Sequence, residues 1–384
     1  MPPRPRKSGQ RTAHERRPAP PIPFRSLRRT IKEREAITQP PTRLVEMSLL
    51  VAGRDRPSVE VDTRPLDRQP RGAESYEIRL AVDGVALGQH VYPPSMEVKK
   101  LSRRRKLTPD AHAGKTLAGF LPDHLALRPL PQRLPRELRV PLRINALRRP
   151  RAKENQATTV FAPENRYTFN DTAFPWCTTG RVDTAGGFAS GVMIGPRHLL
   201  TVSHTIVWNS DGTAGWVKFT PSYFDGSAPF GAAWGQWVYF EQKVVGPGID
   251  NEEGRHDYVV VVLDRRMGDV TGWMGSRTYS DSWDGGTYWS HIGYPGDLAS
   301  GNRPSFEGSI ALDGSSSDPE EHQNILHRGD VWPGQSGGPF FGWWSGEPWP
   351  RAVSVQSWQN PSDNGSSGGS HMVDLVIRAR ADFP

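Results

Sequence analysis

The stretch "DVWPGQSGGPFFGWW", residues 330 to 344, sets one serine, Ser336, between glycines, with a Gly-Pro pair close behind. Clusters of Gly, Ser and Pro also make ordinary surface loops, so the stretch alone leaves two readings open. In one, a tight turn presents Ser336 as a nucleophile; in the other, it is one polar loop residue. The choice depends on whether the chain also supplies a base, an orienting carboxylate and a scaffold.

The composition divides the 384 residues in two. All 13 Trp lie from Trp176 onward, and only 7 of the 39 Gly precede position 160. Residues 1–159 hold 34 Lys+Arg against 16 Asp+Glu, a net of +18; residues 160–384 hold 14 against 25, a net of −11. The overall +7 therefore sums two opposed halves, and the nearest acidic partner of the basic half is its own chain. Its arginines alternate with Pro and Leu, and its aromatics are only Phe24, Tyr76, Tyr92 and Phe120. That lacks the stacking residues of a single-strand binder, and no nucleic-acid partner is expected. Cys177 is the only cysteine, which excludes an internal disulfide and a CxxC metal site. The apolar run Val259–Leu263 is too short to cross a bilayer, and no membrane association is expected. The first thirty residues contain no apolar stretch of the secretory kind.

Residues 1–72 read as a flexible Pro/Arg-rich segment, with one short helix conceivable around "SLRRTIKEREAI". Ser75 to Tyr92 alternates around an Asp83-Gly84 turn and predicts a hairpin. "KKLSRRRKL" reads as a solvated charge run, and the Pro/Arg-rich stretch 125–151 cannot form a long helix. Beyond Val160 the chain becomes a series of short strand-like runs bounded by turn residues. They are "GFASGVMIG", "HLLTV", "GWVKFT", "QWVYF", "DYVVVVL", "TYWSHIGY", "PRAVSVQSW" and "HMVDLVI". No sustained helical period is read between them. The expectation is an all-β barrel or sandwich over 160–384, where two closed or nearly closed barrels would fit, preceded by a largely irregular basic extension over 1–159.

Three strand ends carry the chemistry. His204 follows "HLLTV", Asp257 stands just before "YVVVVL", and Ser336 lies in the glycine-rich turn. A serine hydroxyl attacks well only when an imidazole takes its proton, and the imidazole needs a carboxylate to fix its tautomer. Gly334 lets the chain turn so that its N–H and that of Ser336 converge on a developing oxyanion.

The segments "SGVMIGPRHLLTVSHTI", "HDYVVVVL" and "PGQSGGPFF" resemble the His, Asp and Ser boxes of chymotrypsin-like serine endopeptidases. More narrowly, they resemble the disulfide-poor, glutamyl-endopeptidase-like branch of secreted bacterial and fungal enzymes. "VFAPENRYTFNDTAFPWCTTGRV" is similar to the start of mature enzymes in that branch. The resemblance covers about residues 160–384. It implies two six-stranded barrels with the triad in the cleft between them, protein or peptide substrates, no metal or organic cofactor, and export from the cell. It further implies that "SVQSWQ" lies against the substrate backbone, with Ser357 supporting Asp257 and Trp358 walling the specificity pocket. Asp330 matches the pocket-floor aspartate of trypsin-like members. Gln356 stands where glutamyl enzymes carry a histidine, which speaks against glutamyl specificity, and Gln359 replaces a pocket-rim glycine. The extension 1–159 reads as a pro-segment and as an intramolecular inhibitor of the acidic domain.

Two other readings compete. "GQSGG" also fits the nucleophile elbow of an α/β-hydrolase esterase, with Asp363 or Asp374 and His371 as later partners. That elbow needs a helix after the serine, where Pro339, Pro348 and Pro350 stand instead. The alternative outside enzymes is an inactive, protease-like binding module.

Overall fold

A computed structural model describes residues 18–27, 59–65, 76–82, 85–92, 95–100, 115–134, 160–161, 163–210, 212–314 and 321–384. Six strands build the first barrel: β1 (Thr179–Thr184), β2 (Gly187–Gly195), β3 (His198–Thr201), β4 (Val217–Pro221), β5 (Ala233–Phe240) and β6 (Val259–Leu263). They are ordered β5-β4-β1-β2-β3-β6, and the β5–β6 ladder closes the ring. The unbroken apolar run of β6 follows from burial on both faces. Val259, Val261 and Leu263 face the barrel interior with Val182, Leu199 and Phe219, while Val260 and Val262 enter the core shared with the second barrel.

The second sheet holds β7 (Trp289–Gly293), β8 (Ser305–Ile310), β9 (Gln323–His327), β10 (Pro339–Trp343), β11 (Pro350–Gln359) and β12 (Asn364–Gly368). Their order is β9-β12-β11-β10-β7-β8, and Leu312–Asp313, just after β8, pairs back onto β9. The sheet thus curls into a partly closed barrel filled by Trp289, Trp283, Ile325, Phe340 and Val353. Closure around a core removes sheet edges that would otherwise present unpaired backbone groups. Together the two units form the trypsin-like double barrel that the resemblance implies.

Two expectations need correction. "HMVDLVI" is not a strand but part of the helix α1 (Ser370–Asp382). Its buried residues Met372, Val373, Leu375, Val376 and Ala379 repeat at helical spacing against the core shared by both barrels. The β-branched content of the run concealed this period.

The other correction concerns the region before residue 160, whose first 72 residues read as a flexible Pro/Arg-rich segment with little to bury. Leu27 and Leu127 are buried with Phe174, Cys177 and Trp343. Ile22 N–H donates to the Trp343 carbonyl at 2.6 Å, and the Trp344 indole donates to that of Ala19 at 3.1 Å. Thr116–Leu117 pairs with Gly275–Arg277, and Ser95–Lys100 runs parallel to β5. The predicted hairpin is present as Tyr76–Val82 against Val85–Tyr92, with Val59–Pro65 as a third strand. The candidate helix after Ser26 and the arginine run at 103–105 lie outside the described residues, apart from a single helical turn over 24–27.

The extension is therefore held by apolar contact and backbone hydrogen bonds, and not by charge alone. Leu127→Ala should lower the unfolding free energy by about 2–4 kcal/mol through a buried cavity. Molar salt should leave that packing intact. Urea titrations at low and high ionic strength check both, and a salt-induced loss comparable with that of the variant would contradict it.

Candidate active site

His204 occupies a short 3₁₀ turn (Ser203–Thr205) that follows β3, and Asp257 stands two residues before β6. Because β3 and β6 are paired neighbours, their ends bring the two residues together. His204 Nδ1 lies 2.6 Å from Asp257 Oδ2, and its backbone N–H donates to Oδ1 at 2.9 Å. The carboxylate is fully buried and takes a third bond, from Ser357 Oγ, at 2.6 Å. Burying an acid requires such donors, and three of them hold both oxygens in place. With Nδ1 engaged by Asp257, Nε2 is the ring nitrogen left for another partner. Ser357 comes from β11, so this acid is fixed from both barrels.

Ser336 lies half-buried in the turn leading to β10. Ser190 of β2 fastens that turn: its N–H donates to the Ser336 carbonyl at 2.8 Å, and its hydroxyl donates to the Gly334 carbonyl at 2.7 Å. Gly337 has φ +81°, and a Cβ there would come within 2.3 Å of the Ser190 carbonyl oxygen and of Thr201 Oγ1. Only glycine fits.

The two neighbouring carbonyls decide where the amides point. Pro333 O accepts from Gly296 N at 2.9 Å, and Gln335 O accepts from Gly338 N at 2.9 Å. In a planar trans peptide the N–H points opposite to its carbonyl. The N–H groups of Gly334 and Ser336 are therefore turned away from these contacts, and neither donates to another backbone group among the described residues.

Asp330 is not disposed as the floor of an open pocket. Its buried carboxylate accepts Phe161 N–H at 2.7 Å and Asn165 N–H at 2.8 Å, which occupies both oxygens with the chain just after residue 160. Nearby, the fully buried guanidinium of Arg166 binds Glu164, Asp297 and, at 2.8 Å, the side-chain oxygen of Gln335. The segment 161–166 thus braces the loop that carries Ser336. Sequence reading missed Ser190, Arg166 and Gln335, because their partners lie more than a hundred residues away.

Gln356 is buried. Its amide oxygen takes the Nε2–H of His327 at 2.9 Å, and its nitrogen donates to the Trp358 carbonyl at 2.9 Å. His327 Nδ1 accepts from Gly329 N, which fixes the tautomer, and burial drives this ring down to about 3, so it is neutral. Trp358 donates to Asn324, and its indole covers Gly365, where any side chain would collide with it. Gln359 closes the β11–β12 ladder opposite Asn364. A separate cleft of about 880 Å³ opens between Phe24, Leu130, Glu307 and Arg328, and none of its lining residues belongs to the candidate triad.

The elbow of an α/β-hydrolase is absent: a strand, β10, follows Ser336, and His371 bonds to Glu241 Oε1 at 2.9 Å. Glu307 supplies a titrating group that the sequence did not suggest. Burial, then the nearby charge of Asp330, pushes it up to about 8, and it accepts the Asp330 N–H at 2.7 Å. Its folded value lies above its unfolded one. Its contribution to stability is therefore present in acid and lost as pH rises toward about 8. Glu307→Gln, which keeps the acceptor, should remove that loss. Thermal melts at pH 5 and pH 9 should converge for the variant and diverge for the parent, and equal pH dependence in both would contradict this assignment.

No family model matches the chain. It is 29% identical over 173 residues to a glutamyl endopeptidase of Bacillus licheniformis, an alignment covering 45% of this chain and 51% of the relative. The chain thus spans about half the length of the curated relative it matches. A solved Glu endopeptidase in complex with MPD aligns at 20% identity and TM-score 0.48, over 58% of this chain and 99% of the other. The protease Anisep from Arthrobacter nicotinovorans aligns at 20% identity and TM-score 0.44, over 56% and 99%. The chain thus has a double-barrel fold, with a closed first barrel and a curled second one, and its sequence is similar to a glutamyl endopeptidase.

Proposed function

We propose that the protein is a serine endopeptidase in which Ser336 is the nucleophile, His204 the general base and then general acid, and Asp257 the residue that orients His204. The observation that carries the reading is the buried Asp257 carboxylate, bonded to His204 through both its ring and its backbone and to Ser357. A structural aspartate would need no such alignment with an imidazole whose other nitrogen remains free for a proton.

In this mechanism Ser336 Oγ attacks the scissile carbonyl while His204 Nε2 takes its proton. The amides of Gly334 and Ser336 receive the oxyanion. The protonated imidazole then passes its proton to the leaving amine, and water hydrolyses the acyl-enzyme by the same route in reverse. Ser190 serves this step by fixing the carbonyls on either side of Gln335. Substrates are proteins or peptides, export from the cell follows the family resemblance, and residues 1–159 form a pro-segment.

Ser336→Ala and His204→Ala should each lower kcat by on the order of 10⁴- to 10⁶-fold with the melting profile unchanged. His371→Ala should retain turnover. Full activity in Ser336→Ala, or loss confined to His371→Ala, would refute the assignment.

Specificity is proposed to be independent of glutamate before the scissile bond. Gln356 is uncharged, its amide is occupied on both sides, and the neighbouring His327 is neutral, so neither residue sets a cation against a substrate carboxylate. The arginine or lysine preference that Asp330 suggested loses its basis, because two backbone amides already occupy that carboxylate. A peptide library should show no dominant acidic or basic residue at that position, and a profile led by Glu would overturn this.

A further inference from the structure

Next to Asp257 in the chain, at His256, three imidazoles surround one buried carboxylate, Glu241. Glu241 follows β5, His256 immediately precedes Asp257, His322 precedes β9, and His371 lies in the first turn of α1. His322 Nδ1 lies 3.4 Å, and His256 Nδ1 3.9 Å, from Glu241 Oε2; His371 Nδ1 lies 2.9 Å from Oε1. One donor atom each from Glu241, His256 and His322 falls within 4.8 Å of the others. The rings of His256 and His322 are 4.1 Å apart at their centroids.

Hydrogen bonding accounts for only part of this arrangement. The His371 contact satisfies one oxygen of Glu241, and the Tyr258 hydroxyl donates to the other at 2.8 Å. His256 Nδ1 is buried and has no hydrogen-bond partner, its 3.9 Å separation from Glu241 being too long for one. A buried imidazole nitrogen turned toward a carboxylate and a second imidazole is poor packing unless a cation joins them. Zinc holds nitrogen and oxygen ligands at about 2.0–2.2 Å in a tetrahedron, which places ligand atoms about 3.3 Å apart. The two separations from Glu241 Oε2, 3.4 and 3.9 Å, lie within about 0.6 Å of that spacing, and the widest pair, within 4.8 Å, would close by up to about 1.5 Å.

We propose that Glu241, His256 and His322 form a binding site for one zinc-class divalent ion, with the fourth position open to water. His371 and Tyr258 hold the carboxylate from outside the coordination sphere, an arrangement that fixes ligand direction in metal sites generally. The ligands come from the first barrel and from the second, with α1 supplying the support. The bound ion ties the two barrels together beside the acid that orients His204. The site takes nitrogen-preferring ions of the zinc type over calcium or magnesium, which favour all-oxygen shells.

The test uses the full chain carrying Ser336→Ala, so that self-cleavage cannot interfere. Titration of the metal-free protein with zinc should show one equivalent bound per chain and a rise in melting temperature, with neither effect from magnesium. Cobalt should give the visible absorption of a tetrahedral site. His256→Ala/His322→Ala should abolish binding and the thermal shift, and His371→Ala should weaken binding about 10- to 100-fold. Absence of stoichiometric zinc binding by the parent would overturn the proposal, as would binding that survives the double variant. Should the double variant fail to fold, the cobalt spectrum of the parent alone decides: an octahedral spectrum, or none, contradicts the site.

Discussion

The arrangement depends on one buried carboxylate. Asp257 is wholly shielded from solvent, yet it sits at the mouth of a strand whose next five residues are apolar on both faces. An acid in that position is tolerated only with its oxygens saturated, and the donors come from opposite sides of the molecule. His204 belongs to the first barrel and Ser357 to the second. Satisfying the acid therefore docks the barrels and orients the imidazole in one act. Removing either donor would leave a buried charge under-bonded, at a cost of several times that of an ordinary surface hydrogen bond.

The Ser336 loop follows the same logic of opposite sides. Ser190 lies on β2 of the first barrel, while the carbonyls it holds belong to the loop entering β10 of the second. Its hydroxyl also accepts the Tyr294 N–H at 2.8 Å, so the clamp is itself held in one orientation. Arg166 and Asp330 add support from the segment just after residue 160. A cut in the chain upstream of Phe161 would leave these contacts in place, whereas a cut between Asn165 and Arg166 would divide them.

The sequence revealed what is local. A histidine, an aspartate and a serine, each at the end of a run of β-formers, were visible because each box is a few residues long and the strand period is short. Ser357 and Trp358 came through family resemblance; Ser357 donates to Asp257, and Trp358 packs over the β12 glycine Gly365. Long-range bonding was not visible. Asp330 carries the same carboxylate whether it faces a pocket or the amides of Phe161 and Asn165, and nothing nearby in the chain distinguishes the two. The helix α1 was masked because Val and Ile suit strands, and only its burial pattern shows the helical face. The pieces before residue 160 were hidden by composition: an Arg- and Pro-rich chain can still place single leucines, such as Leu27 and Leu127, into a partner's core.

The most direct test is a crystal structure of the protein after reaction with a peptidyl phosphonate. The account predicts phosphorus bonded to Ser336 Oγ and a phosphonyl oxygen about 2.7–3.1 Å from the amides of both Gly334 and Ser336. His204 should lie on the opposite side of the adduct, still bonded to Asp257. Phosphorus on any other residue, or a phosphonyl oxygen turned into solvent away from both amides, would contradict it.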